Sequence, residues 1–518
     1  MTLTYEQLKE KITGCWNGKN IGGVLGAPFE CKRDLFDVDF YVQENIDGNP
    51  PPNDDLDLQL LWLIAVERFG RGVNASILGD YWLSYVVPDW CEYGSGKTNL
   101  KRGLLPPLTG MVSNPFKNSC GCFIRSEIWA CLAPGHPEIA TQYAYEDAIV
   151  DHHEDGMYAE IFCAAIQSAA FVESDKHKLI DIGLSYIPED CGVARAVKLV
   201  IAEYKKGTPY PDTRIKLMNE IPGNFGILFT KIKDRKDDFP LAEPGHDAAN
   251  NIGIMIIGWL YGEDDFAKSI IIATNCGEDT DCTAATLGAT LGIIHGNSSL
   301  PEKWLKPLGG VINTLCLDKT VWLFPFPETV DELSDRVLRA IPVFLGVDGY
   351  IRHCDILSED SKYTVTTAET FECEDINVFH PHFNTRAGTR RLRTCELMEL
   401  SPYTVKHEFT TFNALLDYCG EPFIKPNEPK KLKLTISENM FGLNVQWFKV
   451  RLYTSDNITI QQGNVFTGHL QKAYPYRLEF TFDVLAEQLI SDQNDIIIDI
   501  SVVGRHTNGI IKATLMSS

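Results

Sequence analysis

The chain has 518 residues, of which 44% are hydrophobic and 23% are charged, and its formal net charge is −23. This length exceeds what one ordinary hydrophobic core supports, so two or more domains are expected. Nucleic acids and anionic membranes attract basic surfaces, and so acidic a chain is not expected to bind either of them.

The N-terminus and the cysteines favour a cytoplasmic protein. Residues 1–7 contain neither the basic segment nor the apolar run of a signal peptide, and no run of about 18 apolar residues predicts a transmembrane helix. The 15 cysteines are odd in number and scattered, and one residue separates the closest pair, Cys120 and Cys122, which is not a zinc spacing. Free thiols in a reducing cytosol are therefore expected.

Residues 5–26 predict one helix with a stripe of glycines on one side. The glycines, four residues apart, are Gly14, Gly18, Gly22 and Gly26. Each glycine inside a helix costs about 1 kcal/mol relative to alanine, so the stripe needs a reason. Close approach of another helix or of a ligand is the expected reason. Glu30 follows just past the stripe, and by itself it is best explained as a solvated loop acid.

A second helix is expected to begin behind Pro50–Pro52, which cannot be helical. Asn53 is a good N-cap residue, and it places Asp54 and Asp55 in the first turn. Residues 56–66 are almost entirely apolar, which predicts a central, buried helix. Capping alone needs only one acid, so the second carboxylate suggests a further role.

The middle of the chain offers weaker evidence. Residues 88–115 are rich in Gly and Pro and predict an irregular segment, and residues 120–125 lead into another helix. Residues 151–155, Asp-His-His-Glu-Asp, precede a further helix. Such a cluster can bind metal or transfer protons, although a polar helix start is the commoner explanation.

An acidic cluster, Glu278, Asp279 and Asp281, lies between the apolar residues 270–273 and the small residues 283–296. Acids packed this densely repel one another, and a bound divalent cation would compensate them. The alternative explanation is a helix start, because acids in the first turn suit the helix dipole. The small residues, four apart, predict a helix that neighbouring helices approach closely.

The predicted secondary structure changes from helices to strands near residue 345. Residues 326–342 are the last predicted helix, and segments such as 432–436 and 496–503 have the composition of strands. The predicted fold is an all-α helical bundle over residues 1–345, followed by an all-β sandwich over residues 346–518.

Acids at several helix boundaries can converge at one end of a helical bundle. They are Glu30, Asp54, Asp55, Asp151, Glu278, Asp279 and Asp281. Facing pairs of aspartates offer an all-oxygen site for Mg²⁺, Mn²⁺ or Ca²⁺. Two such ions about 3.5–4 Å apart can orient a water and a substrate diol, which suits hydrolysis of glycosidic or phosphoryl bonds.

Three of these segments, in this order, resemble the ADP-ribosylglycohydrolase family over residues 8–340. Residues 26–30 (GAPFE) are similar to the end of the family's Gly-rich helix. Residues 53–56 (NDDL) and 277–282 (GEDTDC) are similar to its two metal motifs. Asp151-His152 matches a Thr-His of the family, and residues 120–125 loosely match a turn that ends in Met-Arg.

The resemblance implies an all-α catalytic domain with a site for two ions, usually Mg²⁺ or Mn²⁺. The metal ligands that it implies are Asn53, Asp54, Asp55, Asp279 and Asp281. The catalytic candidates are Glu30, as the acid nearest the scissile bond, Asp55 and Glu278. The candidates for substrate binding are Gly121, Asp151 and His152.

The chain departs from the family pattern where Asn53, Leu56 and Cys282 replace threonines and where Glu278 replaces a glycine, although the amide oxygen of Asn53 can still bind a metal ion. A thiol is a poor partner for a hard cation, so one ion is expected to be weakened or exchanged and the pocket to be reshaped. A metal-dependent glycoside hydrolase that cleaves at the anomeric carbon of a ribose-like sugar, in a small-molecule or glycosylated substrate, is the expected function. The alternatives are a glycosidase for a plain furanoside, such as an arabinofuranoside, and a catalytically silent binding homologue. The β domain suggests carbohydrate binding or a homo-oligomer.

Overall fold

A computed structural model of the protein describes residues 1–44, 46–221, 246–317, 325–346, 350–352, 362–374, 392–438, 446–470, 477–489 and 491–518. Helices dominate the described residues as far as residue 345. They are α1 (Tyr5–Gly26), α2 (Asp57–Phe69), α3 (Ala75–Tyr85), α4 (Cys91–Lys101), α5 (Leu108–Met111), α6 (Ser126–Leu132), α7 (Pro137–Ala148), α8 (Glu154–Ala169), α9 (Lys176–Ser185), α10 (Gly192–Lys206), α11 (Tyr210–Glu220), α12 (Ala248–Tyr261), α13 (Phe266–Asn275), α14 (Thr280–His295), α15 (Glu302–Leu305) and α16 (Val330–Leu345).

Helix α1 packs against α14 with backbone touching backbone. A Cβ atom added to Gly18 would lie 2.1 Å from the carbonyl oxygen of Gly288, and one added to Gly22 would lie 2.1 Å from that of Ala284. Only glycine permits so close an approach at these positions. The glycine stripe therefore serves another helix, as predicted, and its partner is the small-residue helix of the second half.

This contact, which we call the glycine seam, is antiparallel. Gly14 meets Gly292 near one end, and Gly26 meets Thr280 near the other. The C-terminal end of α1 consequently lies at the N-terminal end of α14. Segments about 250 residues apart in the chain are thereby brought together, and this placement builds the site described below.

Helix α2 begins later than the sequence predicts. It begins at Asp57 rather than directly after Asn53. The side-chain oxygen of Asn53 accepts a hydrogen bond from the backbone N–H of Asp55 at 2.7 Å, which is an Asx turn. Such local bonding competes with helix formation, so Asp54 and Asp55 lie in a turn before the helix.

The expectation of an irregular segment over residues 88–115 was wrong in part. Helices α4 and α5 lie within it. The glycines of α4 mark close approaches rather than loops, because a Cβ on Gly96 would lie 2.9 Å from the Cβ of Asp151.

Contacts divide the chain into one unit of Met1–Lys97 with Ser113–Asp375, and another of Thr98–Val112 with Ile376–Ser518. The first unit holds the bundle and a small antiparallel sheet in the order β1-β3-β2. Its strands are β1 (Thr2–Thr4), β2 (Tyr350–Arg352) and β3 (Tyr363–Thr366). β2 and β3 lie beyond the sequence-based boundary at residue 345, and β3 pairs with the N-terminal strand.

The second unit is a β sandwich. Its elements are α17 (Thr394–Met398), β4 (Thr404–Glu408), β5 (Phe412–Asp417), β6 (Phe423–Ile424), β7 (Lys430–Glu438), β8 (Gln446–Tyr453), β9 (Ile458–Ile460), β10 (Val465–Leu470), β11 (Arg477–Ala486), β12 (Gln493–Val502) and β13 (Asn508–Ser517). The two five-stranded sheets have the orders β10-β8-β12-β13-β6 and β4-β5-β7-β11-β9, and they share one apolar core. The predicted fold class, a helical bundle followed by a β sandwich, is confirmed.

The core of the second unit includes a segment that the sequence did not assign to it. Leu104, Leu108 and Val112 are buried among the sandwich residues. In the part of the chain that the structure describes, no helix has the length and apolarity to cross a membrane.

Candidate functional site

The glycine seam places Glu30 beside the acids at the start of α14. Glu30 follows a single 3₁₀ turn after α1, and Asp279 and Asp281 flank the first residue of α14. One carboxylate oxygen from each of the three lies within 4.8 Å of the others. The convergence expected from the sequence is therefore seen for these three acids.

The turn before α2 joins the same cluster. The amide nitrogen of Asn53 donates to Oδ2 of Asp281 at 3.0 Å, while the amide oxygen faces the backbone of Asp55. Cys282 Sγ donates to Oδ1 of Asp55 at 3.5 Å. The two acidic motifs are thus linked, and Asn53 acts here as a donor to a carboxylate. Its predicted role as a metal ligand through the amide oxygen stays a prediction.

Asp54 lies at the edge of this cluster. The hydroxyl group of Tyr93 donates to Oδ2 of Asp54 at 3.3 Å, and Asp54 itself is half-buried. Burial and the neighbouring Asp279 raise the pKa of Asp54 above its ordinary value. Tyr93 lies in α4, within the segment that the sequence predicted to be irregular. The contact could therefore not be anticipated from the sequence.

Three buried carboxylate oxygens in the cluster have no hydrogen-bond partner among the described residues. They are Oδ2 of Asp55, Oδ1 of Asp279 and Oδ1 of Asp281. The three residues are between 3% and 4% exposed. Buried carboxylate oxygens without a donor are costly, and bound cations would satisfy them. An all-oxygen donor set of this kind fits Mg²⁺ or Mn²⁺.

A buried lysine lies beneath Asp55. Lys19 Nζ lies 4.0 Å from Oδ2 of Asp55 and donates to Oε1 of Glu127 at 3.1 Å. It also donates to the carbonyl oxygen of Ile124 at 2.8 Å. Lys19 comes from the face of α1 next to the glycines, and no pattern in the sequence singled it out. Its positive charge offsets part of the repulsion within the acidic cluster.

The titration of the cluster follows from this crowding. Partial desolvation, together with the charges of Asp279 and Asp54, raises the pKa of Glu30 to about 7, although part of the residue is exposed to solvent. Burial and neighbouring carboxylates raise the pKa values of Asp55 and Asp281 well above the ordinary value. Burial would also raise the pKa of Asp279, but the adjacent His246 outweighs it and holds that pKa below the ordinary value.

A pH dependence of stability follows from Glu30. Its pKa rises from an ordinary 4.5 to about 7 on folding, so the folded chain binds the proton more tightly. The associated stability is present below pH 4.5 and is lost as pH rises through 7. We therefore expect Glu30→Gln to gain stability over wild type across this interval in chelator-treated buffer, as measured by thermal unfolding.

The comparison with Glu30→Gln cancels the titration of all other groups. Added Mg²⁺ at neutral pH should remove the difference in stability between wild type and Glu30→Gln. The reason is that an ion that binds only the folded chain stabilises the folded wild-type protein. A difference in melting temperature that is independent of pH would contradict the assignment.

Thiols and an imidazole line the other side of Asp279. Cys120 Sγ donates to Oδ2 of Asp279 at 2.7 Å, and Nδ1 of His246 lies 3.2 Å from the same oxygen. One ligand atom from each of Cys120, Asp279 and Cys282 lies within 4.8 Å of the others. The sequence singled out Cys282 as a departure, but it indicated neither Cys120 nor His246 as its neighbour.

Glu278 is turned away from the acidic cluster. Arg33 donates to both of its oxygens, at 2.7 and 2.9 Å, and Arg214 donates to Oε1 at 3.2 Å. Its φ of 70° lies in the left-handed region, which favours glycine. The backbone N–H of Glu278 donates to the carbonyl oxygen of Lys32 at 2.9 Å. These contacts fix the loop after Glu30, and a catalytic role for Glu278 stays a prediction.

Asp151 and His152 are buried beneath the turn at residues 119–125. Arg125 donates to both oxygens of Asp151, at 3.1 and 2.8 Å, and lowers the pKa of that carboxyl to about 2 against the effect of burial. Nε2 of His152 lies 2.8 Å from Oγ of Ser119. The Asp151 and His152 side chains are at most 1% exposed, so the geometry supports a role in holding the turn.

Gly121, the third candidate for substrate binding, lies in the same turn. A Cβ at this position would lie 1.9 Å from Oε1 of Glu92, and the carbonyl oxygen of Gly121 accepts from Arg125 at 3.1 Å. The structure thus brings Gly121, Asp151 and His152 together. Their direct contact with a substrate stays a prediction.

Comparison with known proteins identifies the family of the chain. The model of the family described as ADP-ribosylglycohydrolase matches residues 4–341. An ADP-ribosylarginine hydrolase of Serratia proteamaculans (strain 568) is 39% identical over 49 residues, which are 10% of this chain and 13% of that protein's length. A solved structure, described as an ADP-ribosylglycohydrolase-related protein complex, is 17% identical, with a TM-score of 0.42 over 65% of this chain and 99% of that chain. The family model spans well over half of the sequence, and the chain therefore belongs to the ADP-ribosylglycohydrolase family.

Proposed function

We propose that the chain is a divalent-metal-dependent glycoside hydrolase that cleaves at the anomeric carbon of the ribose in an ADP-ribosylated substrate. The observation that carries the proposal is the set of three buried carboxylate oxygens, on Asp55, Asp279 and Asp281, that lack a hydrogen-bond donor among the described residues. Glu30 lies beside Asp279 and Asp281. Membership in the ADP-ribosylglycohydrolase family supports the reaction class. The Serratia relative is an ADP-ribosylarginine hydrolase, which makes ADP-ribosyl-arginine a substrate to be tested.

Mg²⁺ or Mn²⁺, with Ca²⁺ as the further candidate, is the proposed cofactor, and two ions are expected. Asp55, Asp279 and Asp281 would hold these ions through the carboxylate oxygens that lack a hydrogen-bond donor among the described residues. Asp54 lies close to Asp279. When bound, the ions would supply Lewis-acid polarisation of a ribose hydroxyl group or a water.

Side chains of the protein would protonate the leaving group and hold the carboxylates in position. With a pKa of about 7, Glu30 can hold a proton at neutral pH and release it to the leaving group at the mouth of the site. Asn53 holds Oδ2 of Asp281 by its hydrogen bond, and Lys19 holds Asp55 by its charge. Both keep the carboxylates in position before a substrate arrives.

An activity panel tests the proposal. The substrates are ADP-ribosyl-arginine, ADP-ribosyl-serine, and aryl ribo- and arabinofuranosides, each assayed with chelator and with added Mg²⁺, Mn²⁺ or Ca²⁺. We expect turnover of an ADP-ribosyl substrate that stops in chelator and returns with Mg²⁺ or Mn²⁺.

Each other outcome overturns a defined part of the proposal. Turnover of the simple furanosides alone would exclude ADP-ribose as the substrate. Full turnover in chelator would exclude the metal requirement. Binding of ADP-ribose without turnover of any substrate would favour a silent binding homologue. Oligomerisation through the β sandwich stays a separate prediction.

A further inference from the structure

The side of Asp279 that faces Cys120 is built from a donor set unlike that of the acidic cluster. Two thiols and one carboxylate meet there, from Cys120, Cys282 and Asp279, and Nδ1 of His246 lies 3.2 Å from Oδ2 of Asp279. Sulfur and imidazole nitrogen are the preferred ligands of zinc and similar transition metals, whereas Mg²⁺ avoids thiolates. The acidic residues on the Glu30 side present oxygen alone.

Backbone pairing holds this donor set in place. The N–H of Cys120 donates to the carbonyl oxygen of His246 at 2.7 Å, and the N–H of Ala248 donates to that of Asn118 at 3.0 Å. The segment that carries Cys120 therefore lies alongside the segment that carries His246. Cys282 lies in the first turn of α14, which the glycine seam anchors. The fold therefore sets the positions of the two segments that carry the donors and of the segment that carries His246.

The two thiols and the carboxylate are buried, and the carboxylate is incompletely satisfied. Cys120, Asp279 and Cys282 are 3%, 4% and 7% exposed, and Oδ1 of Asp279 has no hydrogen-bond partner among the described residues. The other ring nitrogen of His246, Nε2, lies 3.3 Å from Sγ of Cys31. That contact leaves Nδ1 directed at Asp279, and outer partners of this kind orient a metal-binding carboxylate.

We infer that the centre takes two unlike ions, with a thiophilic divalent ion of the zinc class held by Cys120, Cys282 and Asp279, and with His246 hydrogen-bonded to Asp279. The hard cation of the proposed function lies on the other side of Asp279, towards Glu30 and Asp281. Asp279 is shared, because it belongs to both groups of converging ligand atoms. The inference deepens the proposed function, and it rests on that function only for the second, hard ion.

Binding of an ion at the thiophilic position releases protons and transfers no electrons. Each cysteine binds as a thiolate, so two protons go to solvent for each ion bound, and no oxidant or reductant is needed. The two thiolate sulfurs would lie about 2.3 Å from the ion, and a carboxylate oxygen of Asp279 would be the third protein ligand.

Cobalt(II) is the probe, because a thiolate bound to it gives a charge-transfer absorption in the near ultraviolet. The full-length chain is stripped of metal, kept reduced and titrated with Co²⁺ in the presence of excess Mg²⁺. We expect one Co²⁺ per chain, with charge-transfer absorption and the visible bands of tetrahedral cobalt. Zn²⁺ should displace it at equal concentration, and Mg²⁺ should not. X-ray absorption of the unmutated, zinc-loaded chain should show two sulfur neighbours at about 2.3 Å.

Variants assign the signal to residues. Cys120→Ser and Cys282→Thr should each lower the charge-transfer absorption by about half, because each removes one of two thiolates. The matched control is Cys122→Ser, since Cys122 lies in the same turn but donates to the carbonyl oxygen of Gly156. The control should keep the full spectrum, and circular dichroism should show all three variants folded.

The inference is overturned if Co²⁺ binds without charge-transfer absorption, if Mg²⁺ displaces it, or if the zinc-loaded chain shows no sulfur neighbours. These outcomes are separable from failure of the proposed function. Activity on ADP-ribosyl substrates tests the reaction, whereas the spectrum is read without any substrate. A chain that shows the spectrum but hydrolyses nothing would keep the thiophilic site and lose the proposed reaction.

Discussion

Asp281→Asn is expected to lower kcat/KM for an ADP-ribosyl substrate by about a hundred- to a thousand-fold, the size seen when one preorganised electrostatic group is removed. Oδ1 of Asp281 is one of the three partnerless oxygens proposed to bind the hard cation. An amide oxygen carries no net charge and binds Mg²⁺ far less well than a carboxylate. Steady-state kinetics with a titration of Mg²⁺ would show the loss as weaker activation by the metal and as a lower kcat.

The same variant should not destabilise the metal-free chain. Burial and the neighbouring Asp55 hold the pKa of Asp281 well above its ordinary value, so a neutral side chain is already favoured there. The amide oxygen that the substitution introduces would still accept the hydrogen bond from Asn53. Thermal unfolding in chelator should therefore give a melting temperature equal to or above that of wild type. The matched control is Asp265→Asn, which changes an exposed cap of α13 and should keep full activity. Unchanged kinetics in Asp281→Asn would contradict the metal assignment.

Gly18→Ala is expected to destabilise the helical unit by about 3 kcal/mol or more. Its Cβ would lie 2.1 Å from the carbonyl oxygen of Gly288, and that oxygen belongs to a backbone that cannot turn aside. Overpacking a tight contact typically costs about 1–3 kcal/mol, and contact with a helix backbone lies at the upper end. Chemical denaturation would measure the loss. Activity should fall with it, because the same seam sets Glu30 against Asp279.

Gly23→Ala provides the matched control on the same helix. The nearest atom to a Cβ at Gly23 is Nδ2 of Asn53 at 3.5 Å, which is ordinary van der Waals contact. Alanine is favoured over glycine inside a helix by about 1 kcal/mol, so this variant should be as stable as wild type or more stable. Equal destabilisation by Gly18→Ala and Gly23→Ala would show that the close approach is not what the glycines serve.

The sequence by itself determined the parts of this protein that rest on local, periodic patterns. The glycines of α1 and the small residues of α14 predict helices with a close contact, because a fourfold spacing puts such residues on one face. Strand composition beyond residue 400 predicts the sandwich, since a period of two needs no knowledge of distant residues. Acids at helix boundaries, and their similarity to known motifs, indicated where Glu30, Asp55, Asp279 and Asp281 would meet.

The tertiary structure alone decided which charges remain available for chemistry. Glu278 looked like an extra carboxylate of the site, but Arg33 and Arg214 neutralise it, and both lie far from it in sequence. Lys19 and His246 enter the cluster by the same kind of long-range contact. Pairing of this kind depends on how helices pack, and no spacing along the chain records it. The acidic motif could be found in the sequence, but its neighbours, and with them its pKa values and its mixed ligand set, come from the fold.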